Sequence, residues 1–287
     1  MKLSSGLLVT ILVAAPVRSA EIRIGGVAEA ATYMSGLGDY GSLATIFCTG
    51  LTGINGIVQP AQYPLPNSLA GVSVLVDGIV APLLAVADLG PYQQINIQVP
   101  VDRTSLTASV AVSQFGQSAQ ITVEPSLYWS FFFTLPSSPP FFASPGTAAV
   151  QHSDYSIVTS EHPARPGEIV IAYGTNPSIR IAVDAPPLGS PSPAFPLAFA
   201  LPIVASGNED YWGIWVNGKF PETAFFGLAP GLVGVFQVNF RIPADTPDGD
   251  AILVAVQARC SSQPPLTACV YYPSISARVS VQAASSQ

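Results

Sequence analysis

Two seven-residue stretches decide the fold: QINIQVP, Gln94 to Pro100, and QVNFRIP, Gln237 to Pro243. They lie 143 positions apart (237 − 94). In the first, Ile95, Ile97 and Val99 fall on one face of an extended chain, while Gln94, Asn96 and Gln98 fall on the other. Pro100 lacks an N–H and ends the run. The second stretch keeps the alternation with Val238, Phe240 and Ile242. Each reads as a core strand with an apolar inner face and a polar, amide-bearing outer face, present once per repeated unit.

Two further blocks recur in the same order. SVLVDG (Ser73 to Gly78) matches GIWVNG (Gly213 to Gly218) at an offset of 140, and GSLATIFCTG from Gly41 resembles GEIVIAYGTN from Gly167 at an offset of 126. The offset grows along the chain, so insertions lie between blocks, as loops tolerate them. One domain has been duplicated. Val72, Val74 and Val76 alternate with Ser73 and Leu75, the period of a strand. Asp77-Gly78, and Asn217-Gly218 in the second copy, then supply the two positive-φ positions of a tight hairpin turn.

Composition agrees with a β-rich chain. Of 287 residues, 49% are apolar and 28 are proline. That much proline disfavours long helices, because the ring clashes and removes a donor. Only 9% are charged, and the formal net charge is −7. No Lys/Arg cluster is present, which argues against nucleic-acid or anionic-lipid partners. Met1-Lys2, the apolar run LLVTILVAA (Leu7 to Ala15), Pro16, and the small or aliphatic Ser19 and Val17 at −1 and −3 read as a secretory signal cleaved after Ser19. The run is shorter than the ~20 residues of a membrane span.

At the repeated blocks the chain resembles the Solibacter-type C-terminal domain, an Ig-like module of secreted soil-bacterial proteins. The resemblance is carried by HPARPGEIVIAYGT (His162 to Thr175), VNGKFPETAFFGLAPGLVGVFQVNFRIPADTPDGD (Val216 to Asp250) and, more weakly, the segment from Gly41 to Leu84. It implies a β-sandwich and no catalytic residues. The expectation is an all-β chain: a signal peptide over 1–19, then two tandem Ig-like β-sandwiches over 20–127 and 128–287.

Little in the sequence carries chemistry. Gly36-Leu37-Gly38-Asp39-Tyr40-Gly41 has the spacing of a dinucleotide loop, but a strand-like run follows it instead of a helix, so it reads as a turn and implies no cofactor. The two histidines, His152 and His162, lack any zinc spacing. His152-Ser153-Asp154 cannot form a hydrolytic relay from consecutive positions. Asp245, Asp248 and Asp250 gather in DTPDGD without the ligand pattern of a calcium loop, so no metal is expected.

Aligning the copies sets Trp212, Ile214 and Val216 on the core face and leaves Tyr211 and Trp215 outward, either as candidate ligand-binding aromatics or as an interface with the other sandwich. Cys260 and Cys269 lie at the neck of a Pro264-Pro265 hairpin and are expected to form a disulfide, with Cys48 free. The functional expectation is a secreted, non-catalytic binding or structural module at the cell surface or in the matrix, its partner a protein or polysaccharide. The alternative is a carbohydrate-binding protein using Tyr211 and Trp215. A third reading is an extracellular hydrolase dependent on His152 or His162.

Overall fold

The computed structural model describes residues 21–102, 107–124, 132–135, 146–175, 177–200, 203–205, 208–261 and 269–283, of which 203–205, 208–212, 258–261 and 269–272 are described in backbone only. The expected signal segment lies outside them. The described residues form strands and one 3-10 turn, Ile179–Ile181.

The first half contains β1 (Arg23–Glu29), β2 (Leu43–Thr49), β3 (Ile57–Val58), β4 (Val72–Val76), β5 (Ile79–Val80), β6 (Leu83–Asp88), β7 (Gln93–Gln98), β8 (Ala108–Gln114) and β9 (Gln117–Val123). They make two antiparallel sheets, ordered β1-β2-β7-β6-β3 and β5-β4-β8-β9. The second half contains β10 (Val150–Gln151), β11 (Ile169–Gly174), β12 (Ile203–Ala205), β13 (Asn208–Val216), β14 (Thr223–Leu228), β15 (Phe236–Arg241), β16 (Gly249–Ser261), β17 (Cys269–Pro273) and β18 (Ala277–Val281). Its sheets run β10-β11-β15-β14 and β12-β13-β16-β17, with β18 also on β16. In both halves the order is that of strands A-B-E-D facing C-F-G, the Ig arrangement. The chain is two tandem Ig-like β-sandwiches.

The three repeated blocks are strands B, C and E: β2 with β11, β4 with β13, and β7 with β15. Their alternation is realised in the cores. Ile95, Ile97, Val72, Val74 and Val76 are fully buried in the first, and Val238, Phe240, Ile242, Ile214 and Val216 in the second. Burying each such side chain stabilises by about 1.5–3 kcal/mol. Strand E lies between B and D in each sheet, so both its edges are hydrogen-bonded and only its apolar face meets the core. The hairpin turns also repeat. Asp77 and Gly78 sit at φ 47° and 78°, and Asn217 and Gly218 at 50° and 77°. The Asp77 carboxylate accepts from Ser109 N–H and the Asn217 carbonyl from Ile252 N–H, so each turn is tied to strand F.

One expectation needs correction. Gln98 belongs to the outer, amide-bearing face of its strand, yet it is buried. Its Nε2 donates to Gly41 O at 2.9 Å and its Oε1 accepts from Gly189 N–H at 2.6 Å. A loop of the second half covers this end of the first sheet. Further bonds cross the same junction: Leu65 N–H to Gly189 O at 2.7 Å, Ile179 N–H to Tyr40 O at 2.9 Å, and Leu43 N–H to the Thr175 hydroxyl at 3.0 Å. Arg180 lies over the Tyr40 ring and pairs with Asp102. A Cβ on Gly234 would stand 2.6 Å from Gly41 O, so the backbones meet there too closely for a side chain.

Candidate functional site

The described residues include a cleft of about 790 Å³ at one end of the second sandwich, lined among others by His152, Asp154, Glu161, His162, Arg165 and Glu168. His152 follows β10, and Glu168 precedes β11, its antiparallel partner, so strand pairing brings together two residues 16 positions apart. His152 Nδ1 lies 2.5 Å from Glu168 Oε1, and His152 Nε2 lies 3.2 Å from the carbonyl oxygen of His162. The two imidazoles stack with centroids 4.3 Å apart. Glu168 Oε2 accepts from Arg165 N–H at 2.8 Å.

A carbonyl only accepts, so Nε2 of His152 donates to it, and Nδ1 lies within hydrogen-bond distance of the carboxylate. Both ring nitrogens are therefore committed. Neither has a lone pair free to take a proton from a hydroxyl or to hold a metal. Asp154 is spent on its own turn: hydrogen bonds from the Ser156 hydroxyl and N–H hold its carboxyl below the usual range, helped by the two histidines. The cluster staples the turn after β10 to the loop before β11.

The other candidates are dispersed. Asp245 pairs with Lys219, Asp248 accepts from Ala283 N–H, and Asp250 meets Arg278 and Ser280. Among the described residues no group of three His, Cys, Asp or Glu is placed to hold a metal ion. The Gly36–Gly41 stretch is a turn leading into β2.

Trp215 lies on the opposite face of β13 from the buried Ile214 and Val216, half-buried, its ring edge-on to Phe220 at 5.6 Å. The side chains of Tyr211 and Trp212 lie outside the described residues, so those two placements stay expectations. The register of β16 with β17 sets Cys260 directly opposite Cys269, and their side chains also lie outside the described residues. Cys48 is free and buried in the first core, and burial pushes its thiol up to about 11.

No family model matches the chain, and no curated protein matches it. Among solved structures it is similar to the tandem Ig repeats of Dlar, with 10% identity, a TM-score of 0.21, and coverage of 92% of this chain and 100% of that one. It is also similar to the titin domains Z1Z2 in complex with telethonin, with 12% identity, a TM-score of 0.22, and coverage of 94% and 100%. The Ig-like assignment rests on the strand order above. No helix among the described residues is long and apolar enough to cross a membrane.

Proposed function

We propose that the chain is an exported, non-catalytic binding module that acts at the cell surface or in the extracellular matrix on a protein or polysaccharide. The observation that carries this reading is the double engagement of His152, which ties both of its ring nitrogens to groups of the protein itself. Export draws on the N-terminal signal pattern. The resemblance to the Solibacter-type module fits the same role. A second reading, glycan binding through Tyr211 and Trp215, draws on the outward placement of Trp215.

Two measurements test the proposal. Intact mass of the exported protein is expected to begin at Ala20; a retained Met1 defeats export. The purified exported chain is expected to bind isolated cell envelopes saturably and to turn over no ester, glycoside or peptide substrate. Turnover that is lost in His152→Gln overturns the non-catalytic reading.

A further inference from the structure

The two sandwiches share more than their cores. On the outer face of the first, Phe47 of β2 stands directly opposite Gln94 of β7. On the outer face of the second, Tyr173 of β11 stands directly opposite Gln237 of β15. Opposed residues share a face with Cβ atoms ~5 Å apart, so in each copy an aromatic ring lies beside an amide. Two residues along, Asn96 and Asn239 complete the arrangement. Gln94 Nε2 donates to Asn96 Oδ1 at 2.8 Å, and Gln237 Nε2 donates to Asn239 Oδ1 at the same 2.8 Å.

A second aromatic joins each site. Tyr33, at φ 61° in the turn after strand A, is 49% exposed, with its ring 6.0 Å from that of Phe47. Tyr155, at φ 67° in the corresponding turn of the second copy, is 69% exposed. Burial chiefly, and the charge of Tyr155 after it, raise the Tyr173 phenol. The N–H of each tyrosine donates to the carbonyl at the turn's start, Glu29 O and His152 O. A bulky residue at positive φ is uncommon, and both copies hold one at this place.

Core residues recur in a duplicated domain because packing demands them. Core packing does not require two outward aromatics and an outward Gln-x-Asn pair to recur; on the outer face of the first copy Phe47 also meets Tyr92 edge-on at 5.6 Å. We infer that each sandwich carries an equivalent binding site for a neutral polysaccharide, formed by Tyr33, Phe47, Gln94 and Asn96 in the first and by Tyr155, Tyr173, Gln237 and Asn239 in the second. The inference rests on the binding-module reading and places the sugar sites away from Trp215.

The chemistry fits this ligand. A pyranose presents an apolar C–H face to an aromatic ring and vicinal hydroxyls at its edge. In each amide pair the internal bond uses one donor and one acceptor. That leaves the Gln carbonyl oxygen and the Asn NH₂ of each pair as an acceptor and a donor for neighbouring hydroxyls, while in the first copy the Thr45 hydroxyl also donates to Asn96 Oδ1 at 3.1 Å. The strand positions beside them, Gly26, Thr45, Ala85 and Ala87 in one copy and Gln151, Ile171, Phe225 and Gly227 in the other, carry no charge. An uncharged floor does not select an anionic polymer. Two equivalent sites on one chain match a ligand that itself repeats, where the second contact is intramolecular and raises avidity.

Affinity electrophoresis of the exported chain through gels containing mixed-linkage β-glucan, xylan or mannan, with alginate as the anionic control, tests this. At least one neutral polymer is expected to retard the chain, and alginate is not. Phe47→Ala or Tyr173→Ala is expected to weaken retardation tenfold or more, and the double variant to abolish it. Gln94→Ala with Gln237→Ala removes the amide partners without touching the core and is expected to do the same. Retardation unchanged in that amide variant overturns the site. Retardation by alginate alone overturns the ligand class. So does binding to cell envelopes that protease treatment destroys, with no neutral polymer effective; the binding-module reading then survives with a protein partner. Failure to bind both envelopes and polymers overturns both readings.

Discussion

The backbone N–H of Leu43 donates to the hydroxyl of Thr175 at 3.0 Å, across 132 positions of sequence and across the junction of the two sandwiches. The same hydroxyl donates to Gly234 O at 3.0 Å, and Thr175 is wholly buried. One small side chain thus satisfies a donor of the first sandwich and an acceptor of the second.

Thr175→Val keeps the shape and removes both bonds. It leaves a buried N–H and a buried carbonyl unpaired, at about 1–3 kcal/mol. Equilibrium urea unfolding is expected to show a lower midpoint, with both sandwiches affected because the bond belongs to their junction. An unchanged midpoint defeats the claim that this contact couples them.

Glu168→Ala removes the carboxylate partner of a buried imidazole. A loss of about 2–3 kcal/mol is expected, because hydrogen bonds to charged groups contribute most when a buried partner is stranded. Hydrogen exchange is expected to speed most in the turn after β10 and in the loop before β11. Uniform protection across that region shows that the staple is unimportant.

Cys48 has its thiol raised from 9.0 to about 11 by burial. A raised folded value means that its contribution is fully present below the unfolded value and is lost as pH climbs from about 9 toward 11. That rise corresponds to roughly 2–3 kcal/mol. Wild type is expected to lose more stability over that window than Cys48→Ala. At pH 8 the native thiol is expected to resist iodoacetamide. Rapid labelling of the folded protein contradicts the burial.

The backbone register pairs Cys260 of β16 with Cys269 of β17. Opposed Cα atoms in an antiparallel pair lie ~4.5–5.5 Å apart, inside the range a disulfide spans. Exported protein is therefore expected to carry this bond, closing a short loop and stabilising by about 2–3 kcal/mol in the chain-entropy account. Non-reducing peptide mapping decides it: free thiols at both positions, or a cross-link containing Cys48, would sink the pairing.

Ile95, Ile97, Val238 and Phe240 were legible as core from alternation alone, and the three repeated blocks are strands B, C and E of both sandwiches. Asp77-Gly78 and Asn217-Gly218 were legible as turns because left-handed backbone at two successive positions admits few residue types. The candidate sites were not legible to the same degree. Nothing local to His152 points to Glu168. The equivalence of Tyr33 and Tyr155 is hidden because the strands that precede them share no sequence pattern. Tyr33 lies four positions after Glu29, and Tyr155 three after His152. Only a faint signal was available, the repeated Gln-x-Asn within the opening stretches.

The duplication, the all-β character and the inner face of each repeated strand follow from local pattern, because periodicity is a property of neighbouring residues and a pleated chain exposes alternate sides whatever surrounds it. Which outer faces stay open depends on long-range packing. Gln94 and Gln98 are the same residue type on the same face of one strand, four positions apart. Gln94 stays partly open beside Phe47, while Gln98 is sealed by the backbone of Gly189, 91 positions away. Covering a surface is a long-range event, set by where a distant loop finds hydrogen-bond partners, and no local pattern encodes it.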